Sequence, residues 1–178
     1  MLSILAIIGA IVVVGVVGIL VYAATLPKTF SVSRSATINA PPEKIFPLIN
    51  DVRSFNEWNP FAKQDPSIVI SYNGPASGTG AGYSWDSKGR AGKGSSAITD
   101  VSSPSRVNMR LDMEKPMEGH PNIVFALQPK GTATEVSWTM AGPHPYIHRV
   151  FSTICNMDKM IGGTFASGLA DLKLLAEK

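Results

Sequence analysis

Charge is missing from the first 27 residues of this 178-residue chain: all 29 Asp, Glu, Lys and Arg side chains fall between Lys28 and Lys178. Cysteine is nearly missing as well, and the single Cys155 excludes an intramolecular disulfide framework and any multi-cysteine zinc or iron–sulfur site. A concentrated basic surface is lacking: the net charge is only +3, and Lys88, Arg90 and Lys93, the densest basic stretch, have no aromatic residues among them. Nucleic acid is therefore not an expected partner. There is no Walker lysine pair, no G-x-S-x-G, no Ser-His-Asp order and no evident carboxylate pair, so no catalytic residue is nominated. Gly78-Thr79-Gly80-Ala81-Gly82 resembles a phosphate loop only superficially, because a strand and not a helix follows it. A turn requiring positive φ is the expected structure there.

What is present begins with an apolar run. From Ile4 to Ala24 the chain is Ile, Leu, Val, Ala and Gly apart from Tyr22. As a helix those residues reach about 31 Å, enough to cross a hydrocarbon layer of about 30 Å. Tyr22 and Lys28 stand where interfacial anchors belong. A cleaved signal peptide is the competing reading, with Val21-Tyr22-Ala23 as a cleavage region, but no Lys or Arg precedes the run and the run is too long for it. Residues 1–27 are thus expected to be a transmembrane anchor crossing through residues 4–24, and 28–178 one folded domain. Lys28 and Arg34 on the C-terminal flank place that domain in the cytoplasm by the positive-inside rule. The anchor has no G-x-x-x-G to support helix dimerisation.

After Lys28 the pattern is α+β. Phe30, Val32, Ala36 and Ile38 alternate with Ser and Thr as in a half-buried strand. Pro41-Pro42-Glu43 opens a helical region with an apolar face of Ile45, Phe46, Leu48, Ile49 and Val52, which Pro47 is expected to kink. Phe55 to Phe61 ends it. Short strands then follow from Ile68 to Ala141, separated by turns, as an antiparallel meander. Beyond Gly142-Pro143-His144-Pro145, residues Ile147, Phe151, Ile154, Ile161, Phe165, Leu169 and Leu172 recur near the helical period, so one long helix interrupted at Gly162-Gly163 is expected to the end. Such a helix can cover the concave face of a bent sheet and leave a cavity beneath.

The face of the meander that would look into this space is apolar throughout. Val107, Met109, Leu111 and Met113 share one side of their strand, Ile123, Phe125 and Leu127 one side of the next, and Val136, Trp138 and Met140 one side of the last. These ten residues hold no ionisable group and could fill a core or line an apolar ligand cavity. Arg34 falls on the inward side of the first strand and needs either a carboxylate partner or a route to solvent along apolar surface. His144 and His148 have i, i+4 spacing but no third ligand, so no metal is expected. Cys155 lies beside Ile154 and Met157 without a flanking base and reads as a buried thiol. Asp158 and Lys159 read as a solvated helix turn.

Several segments together resemble one family. Arg34-Ser35-Ala36-Thr37-Ile38-Asn39-Ala40-Pro41-Pro42-Glu43 is similar to the opening of the SRPBCC (START-like) polyketide cyclase/dehydrase-type proteins. Phe55-Asn56-Glu57-Trp58-Asn59-Pro60-Phe61 matches the latter half of their second-helix segment, with Phe55 at its first aromatic place. Gly78 through Trp85 resembles their glycine turn and aromatic strand. Asn156 through Gly162, with Phe165, Gly168, Leu169 and Leu172, resembles the final helix of a membrane-anchored branch. Gly163-Thr164 and Ala166-Ser167 depart from the charged residues common there. The resemblance spans residues 30–177 and implies a helix-grip fold, a curved antiparallel sheet around a long C-terminal helix with an apolar cavity between.

Members bind lipids, sterols, polyketides or other apolar molecules, and no catalytic set is common to them. The expected partner is accordingly a hydrophobic small molecule or lipid, with no cofactor. Its lining is expected from Trp58, Tyr83, Trp85, Met109, Leu111, Phe125, Leu127, Trp138, Met140, Met157, Ile161 and Phe165. A cyclase or dehydratase acting through shape and proximity is the alternative, although the greasy face supplies no proton shuttle. A co-chaperone-like interaction module is a third reading, and it would show an exposed apolar patch in place of a closed cavity.

Overall fold

The computed structural model of the chain describes residues 2–89 and 91–178, with the side chains of residues 2, 3, 5 and 157 outside that description. The apolar run forms helix α1 (Leu2–Thr25), of which Ala6–Thr25 is long and apolar enough to cross a membrane. Strand β1 (Thr29–Ile38) follows, and then three short helices, α2 (Pro42–Asn50), α3 (Val52–Trp58) and α4 (Pro60–Lys63). The remaining strands are β2 (Val69–Asn73), β3 (Gly82–Asp86), β4 (Lys93–Ser102), β5 (Arg106–Lys115), β6 (Asn122–Lys130) and β7 (Ala133–Pro143). Helices α5 (Tyr146–Ile154) and α6 (Met157–Ala176) complete the chain.

All seven strands make one antiparallel sheet in the order β1-β7-β6-β5-β4-β3-β2. Helices α2–α4 carry the chain from one edge strand, β1, to the other, β2. Register shifts between β4 and β5 at Ile98/Asp100 and Lys93/Gly94 bend the sheet, because an extra residue on one strand increases local twist. Alternation places Val107, Met109, Ile123, Phe125, Leu127, Val136, Trp138 and Met140 in the core, with Leu111 and Met113 half-buried at its margin. Phe165, Leu169, Leu172 and Ala176 of α6 fill the concave side. This is the helix-grip architecture. The glycine-rich β2–β3 connection holds Gly78 at φ 78° and Gly80 at φ 88°, a turn as its residues require.

Helix α2 runs through Pro47, and the helical region divides at Asp51, whose extended backbone and Oδ1, accepting from the backbone N–H groups of Arg53 (2.8 Å) and Ser54 (3.0 Å), start α3. Expectations for the C-terminal region are corrected. The C-terminal region is two helices, divided at Cys155-Asn156, while Gly162 and Gly163 lie inside an unbroken α6. Asn156 causes that division: its Oδ1 accepts from the Lys159 N–H at 2.8 Å and caps α6. Ile147, Phe151 and Ile154 consequently leave the buried stripe and stand exposed on α5, and Cys155 is half-buried at the junction. Gly162 serves close approach, since a Cβ there would collide with the Arg34 guanidinium.

Candidate functional site

The middle of the grip is closed by aromatic packing. Trp138 stacks on Phe165 with ring centroids 4.2 Å apart, and Phe55, Trp58 and Phe125 meet Trp138 at 6.2, 5.6 and 5.0 Å. Trp58 is fixed there by donating its indole N–H to the Leu48 carbonyl at 2.8 Å. The indole N–H of Trp138, whose residue is 1% exposed, has no hydrogen-bond partner among the described residues. Burying such a donor unpaired is costly, so stacking and burial hold Trp138 in place against that cost.

Open space lies on both sides of the first turns of α6. One cavity of about 930 Å³ lies between Met160 of α6, Ser87, Gly89 and Gly92 of the β3–β4 hairpin, and Lys115-Pro116 at the end of β5. The cross-strand rank Trp85–Gly94–Met113 leads toward it, with Trp85 donating its indole N–H to the Ala91 carbonyl at 3.0 Å. The hairpin is held by the buried Asp65. Its carboxylate accepts from the hydroxyls of Ser87 (2.6 Å) and Ser67 (2.7 Å) and from the backbone N–H groups of Ala91 (3.0 Å) and Ser67 (3.1 Å). Those donors, the Ser87 hydroxyl foremost, hold the Asp65 carboxyl well below the usual carboxylate range.

A second cavity of about 530 Å³ lies beside the end of α1, among Pro27, Thr29, Phe30, Val32, His144, Ser152, Thr153, Ile154, Asn156 and Asp158. Its wall mixes apolar and polar groups, Phe30 and Val32 with Thr29 and Ser31 on the β1 side and Ile154 with polar side chains on the helical side. His144 meets Phe30 edge to face at 5.9 Å, and its Nε2 has no hydrogen-bond partner among the described residues. Arg34 and Asp158 clamp α6 to β1: the two guanidinium nitrogens donate to the carboxylate at 2.9 and 3.2 Å, and Nη2 also reaches the Asp158 carbonyl at 3.1 Å. Arg34 thus has the carboxylate its inward position demands, and its hydrogen bond keeps the Asp158 carboxyl below its ordinary range.

Of the expected lining, Trp58, Tyr83, Trp85, Met109, Phe125, Leu127, Trp138, Met140 and Phe165 are buried together, while Leu111 and Ile161 are half-buried at the rim of that core. The side chain of Met157 lies outside the described residues. Burial pushes the Tyr83 phenol far above its ordinary range, so it stays neutral. The walls of the two cavities come from other residues: Met160, the β3–β4 hairpin, Lys115-Pro116, the start of β1 and the α5–α6 junction. Periodicity signalled Phe30 and Val32, but hairpin and junction residues have no period to betray them. His144 precedes the Pro145 cap of α5 and does not share a helix with His148. Among the described residues no three His, Cys, Asp or Glu side chains converge as a metal site.

Solved structures of the same fold support this architecture. Protein CV1439 from Chromobacterium violaceum superposes with a TM-score of 0.59 at 15% identity, covering 86% of this chain and 99% of that one. The Aha1 protein from Colwellia psychrerythraea, solved as a dimer, gives 0.55 at 18% identity over 81% of this chain and 96% of that one. DynU16, from the dynemicin biosynthetic locus, gives 0.59 at 15% identity over 83% of this chain but only 47% of its own length. No curated protein matches the chain. Residues 29–177, from the first strand to the last turn of α6, match the family described as polyketide cyclase / dehydrase and lipid transport, and the chain belongs to that family.

Proposed function

We propose that the protein is a single-pass membrane protein whose domain, residues 28–178, holds a hydrophobic small molecule or lipid between the sheet and α6. The observation that carries this reading is the pairing of an inner face of β5, β6 and β7 that holds no ionisable group with open space on either side of the first turns of α6. An apolar body can be desolvated there, and a few polar groups at the margins can orient one end. The aromatic cluster around Trp138 forms the closed floor, and the cargo enters over Leu111, Ile161 and Met160. Helix α1 holds the domain at the bilayer, which raises the local concentration of any membrane-derived cargo. Lys28 and Arg34 favour a cytoplasmic domain.

The test is native mass spectrometry of the full chain in a mild detergent, followed by uptake of a fluorescent fatty acid. A discrete added mass that disappears on denaturation, and uptake that falls in Met160→Trp because the indole occupies the wider cavity, are expected. A chain that is empty as purified and takes up no probe would remove the binding reading.

A further inference from the structure

We propose that α5 is a second membrane contact, an interfacial helix whose apolar stripe lies in the surface of the bilayer that α1 crosses. This rests on the membrane reading of α1 and adds to it a surface, a depth and an orientation.

Helix α5 contributes no buried residue to the core, although its side chains are strongly sorted. Ile147, Phe151 and Ile154, at i, i+4 and i+7, form one stripe and are 66%, 44% and 73% exposed. Three large apolar side chains in water on one short helix need a cover, and an amphipathic helix in the headgroup layer supplies it.

What identifies the cover is the end of α1. Tyr146 donates its hydroxyl to the Leu20 carbonyl at 2.9 Å. Arg149 Nη1 lies 3.1–3.3 Å from the carbonyls of Ala23, Ala24 and Leu26, a cation on the negative end of the helix dipole. Ala23 is wholly buried under this contact. Helix α5 is therefore fastened across the end of α1, from Leu20 to Thr25 and the following Leu26, a helical rise of about 8 Å. An interfacial helix sinks by about 5–10 Å, the same depth.

The orientation agrees. At about 100° per residue, the Tyr146 and Arg149 side chains that grip α1 lie about 100–160° around α5 from the middle of the apolar stripe. With α1 upright and α5 lying beside it, the stripe turns toward the bilayer plane and not into α1. Lys28 and Lys159, both exposed, stand at the same end of the domain and suit anionic headgroups. Ser152, Thr153 and Ile154 also line the juxtamembrane cavity, so seating α5 brings that opening to the lipid surface.

The test uses the full chain in vesicles of phosphatidylcholine and phosphatidylglycerol. In a Cys155→Ser background, Ile154→Cys carries an environment-sensitive fluorophore, with Leu174→Cys as the control. Leu174 is equally exposed but lies near the far end of α6, beyond Ile38. The proposal expects blue-shifted emission at 154, quenched several-fold more by shallow than by deep spin-labelled phospholipid, and water-like emission at 174. Water-like emission at 154 in a chain that resists carbonate extraction overturns this proposal alone. Carbonate extraction of the full chain overturns the anchor reading, and this proposal with it.

Discussion

A methyl group added at Gly168 would come within 2.8 Å of Cζ3 of Trp138 and Cδ of Pro60, both in the packed middle of the grip. Added at Gly163, five residues earlier on the same helix, it would meet nothing within 4 Å. Two chemically identical substitutions should therefore act with opposite sign. Gly163→Ala should stabilise by up to about 1 kcal/mol, the helix-propensity difference. Gly168→Ala should destabilise by about 1–3 kcal/mol, because Trp138 and Pro60 have no room to yield. For a chain of this size each kcal/mol moves the thermal midpoint by roughly 2–4 °C, so a melting curve separates the pair. Thr134 offers a polar counterpart. Its buried hydroxyl donates to the Ala40 carbonyl at 2.7 Å and ties β7 to the segment that leaves β1. Thr134→Val keeps the shape and orphans that carbonyl, with an expected loss of about 1–3 kcal/mol by denaturant titration. Neither pair of neighbours was legible from composition, since what decides each case is a side chain distant in sequence.

At the scale of elements, the β3–β4 hairpin depends on one carboxylate. Asp65 is held below the usual carboxylate pKa by the Ser87 hydroxyl first, then by the Ala91 N–H and by Ser67. A depressed folded-state pKa means that the unfolded chain binds the proton more tightly. The resulting stabilisation is complete above about pH 5, where even the unfolded carboxyl of about 3.9 is ionised, and it drains as pH falls below that. Wild-type melting should be flat from pH 7 to 5 and fall in acid. Asp65→Asn should melt lower at pH 7, and its deficit should narrow toward pH 3. A deficit unchanged across that range would assign the loss to shape and not to charge. The strands were legible from alternation because one face of each is buried, and the helix-grip frame from the motifs at Arg34–Glu43, Phe55–Phe61 and Asn156–Leu172. The Asp65 latch was not, since its donors lie 2 to 26 residues away in loops. The division at Asn156 was hidden for a different reason: Ile147, Phe151 and Ile154 continue the helical period of Ile161 and Phe165, and period cannot distinguish a core stripe from an exposed one.

The whole molecule has two parts with a narrow joint. Helix α1 meets the domain through α5, and Ala23, the one buried residue among those described in α1, is not part of the main core. Everything that closes the grip lies beyond Lys28: the β1–β7 pairing from Thr29 to Pro143, the aromatic cluster, and the Arg34–Asp158 clamp. A chain shortened to residues 28–178 should therefore fold with nearly unchanged cooperativity, while α5 loses the carbonyls that Tyr146 and Arg149 hold. Hydrogen exchange resolves the two effects. Amides of β5, β6 and β7 should keep full protection in the shortened chain, and those of α5 should exchange faster by an order of magnitude or more, since local opening no longer has to break the α1 contacts. Uniform acceleration across the sheet would show instead that α1 supports the core. Acceleration confined to α5 would make the joint a property of the α1-facing side alone, leaving the apolar interior to be shaped by the sheet and α6.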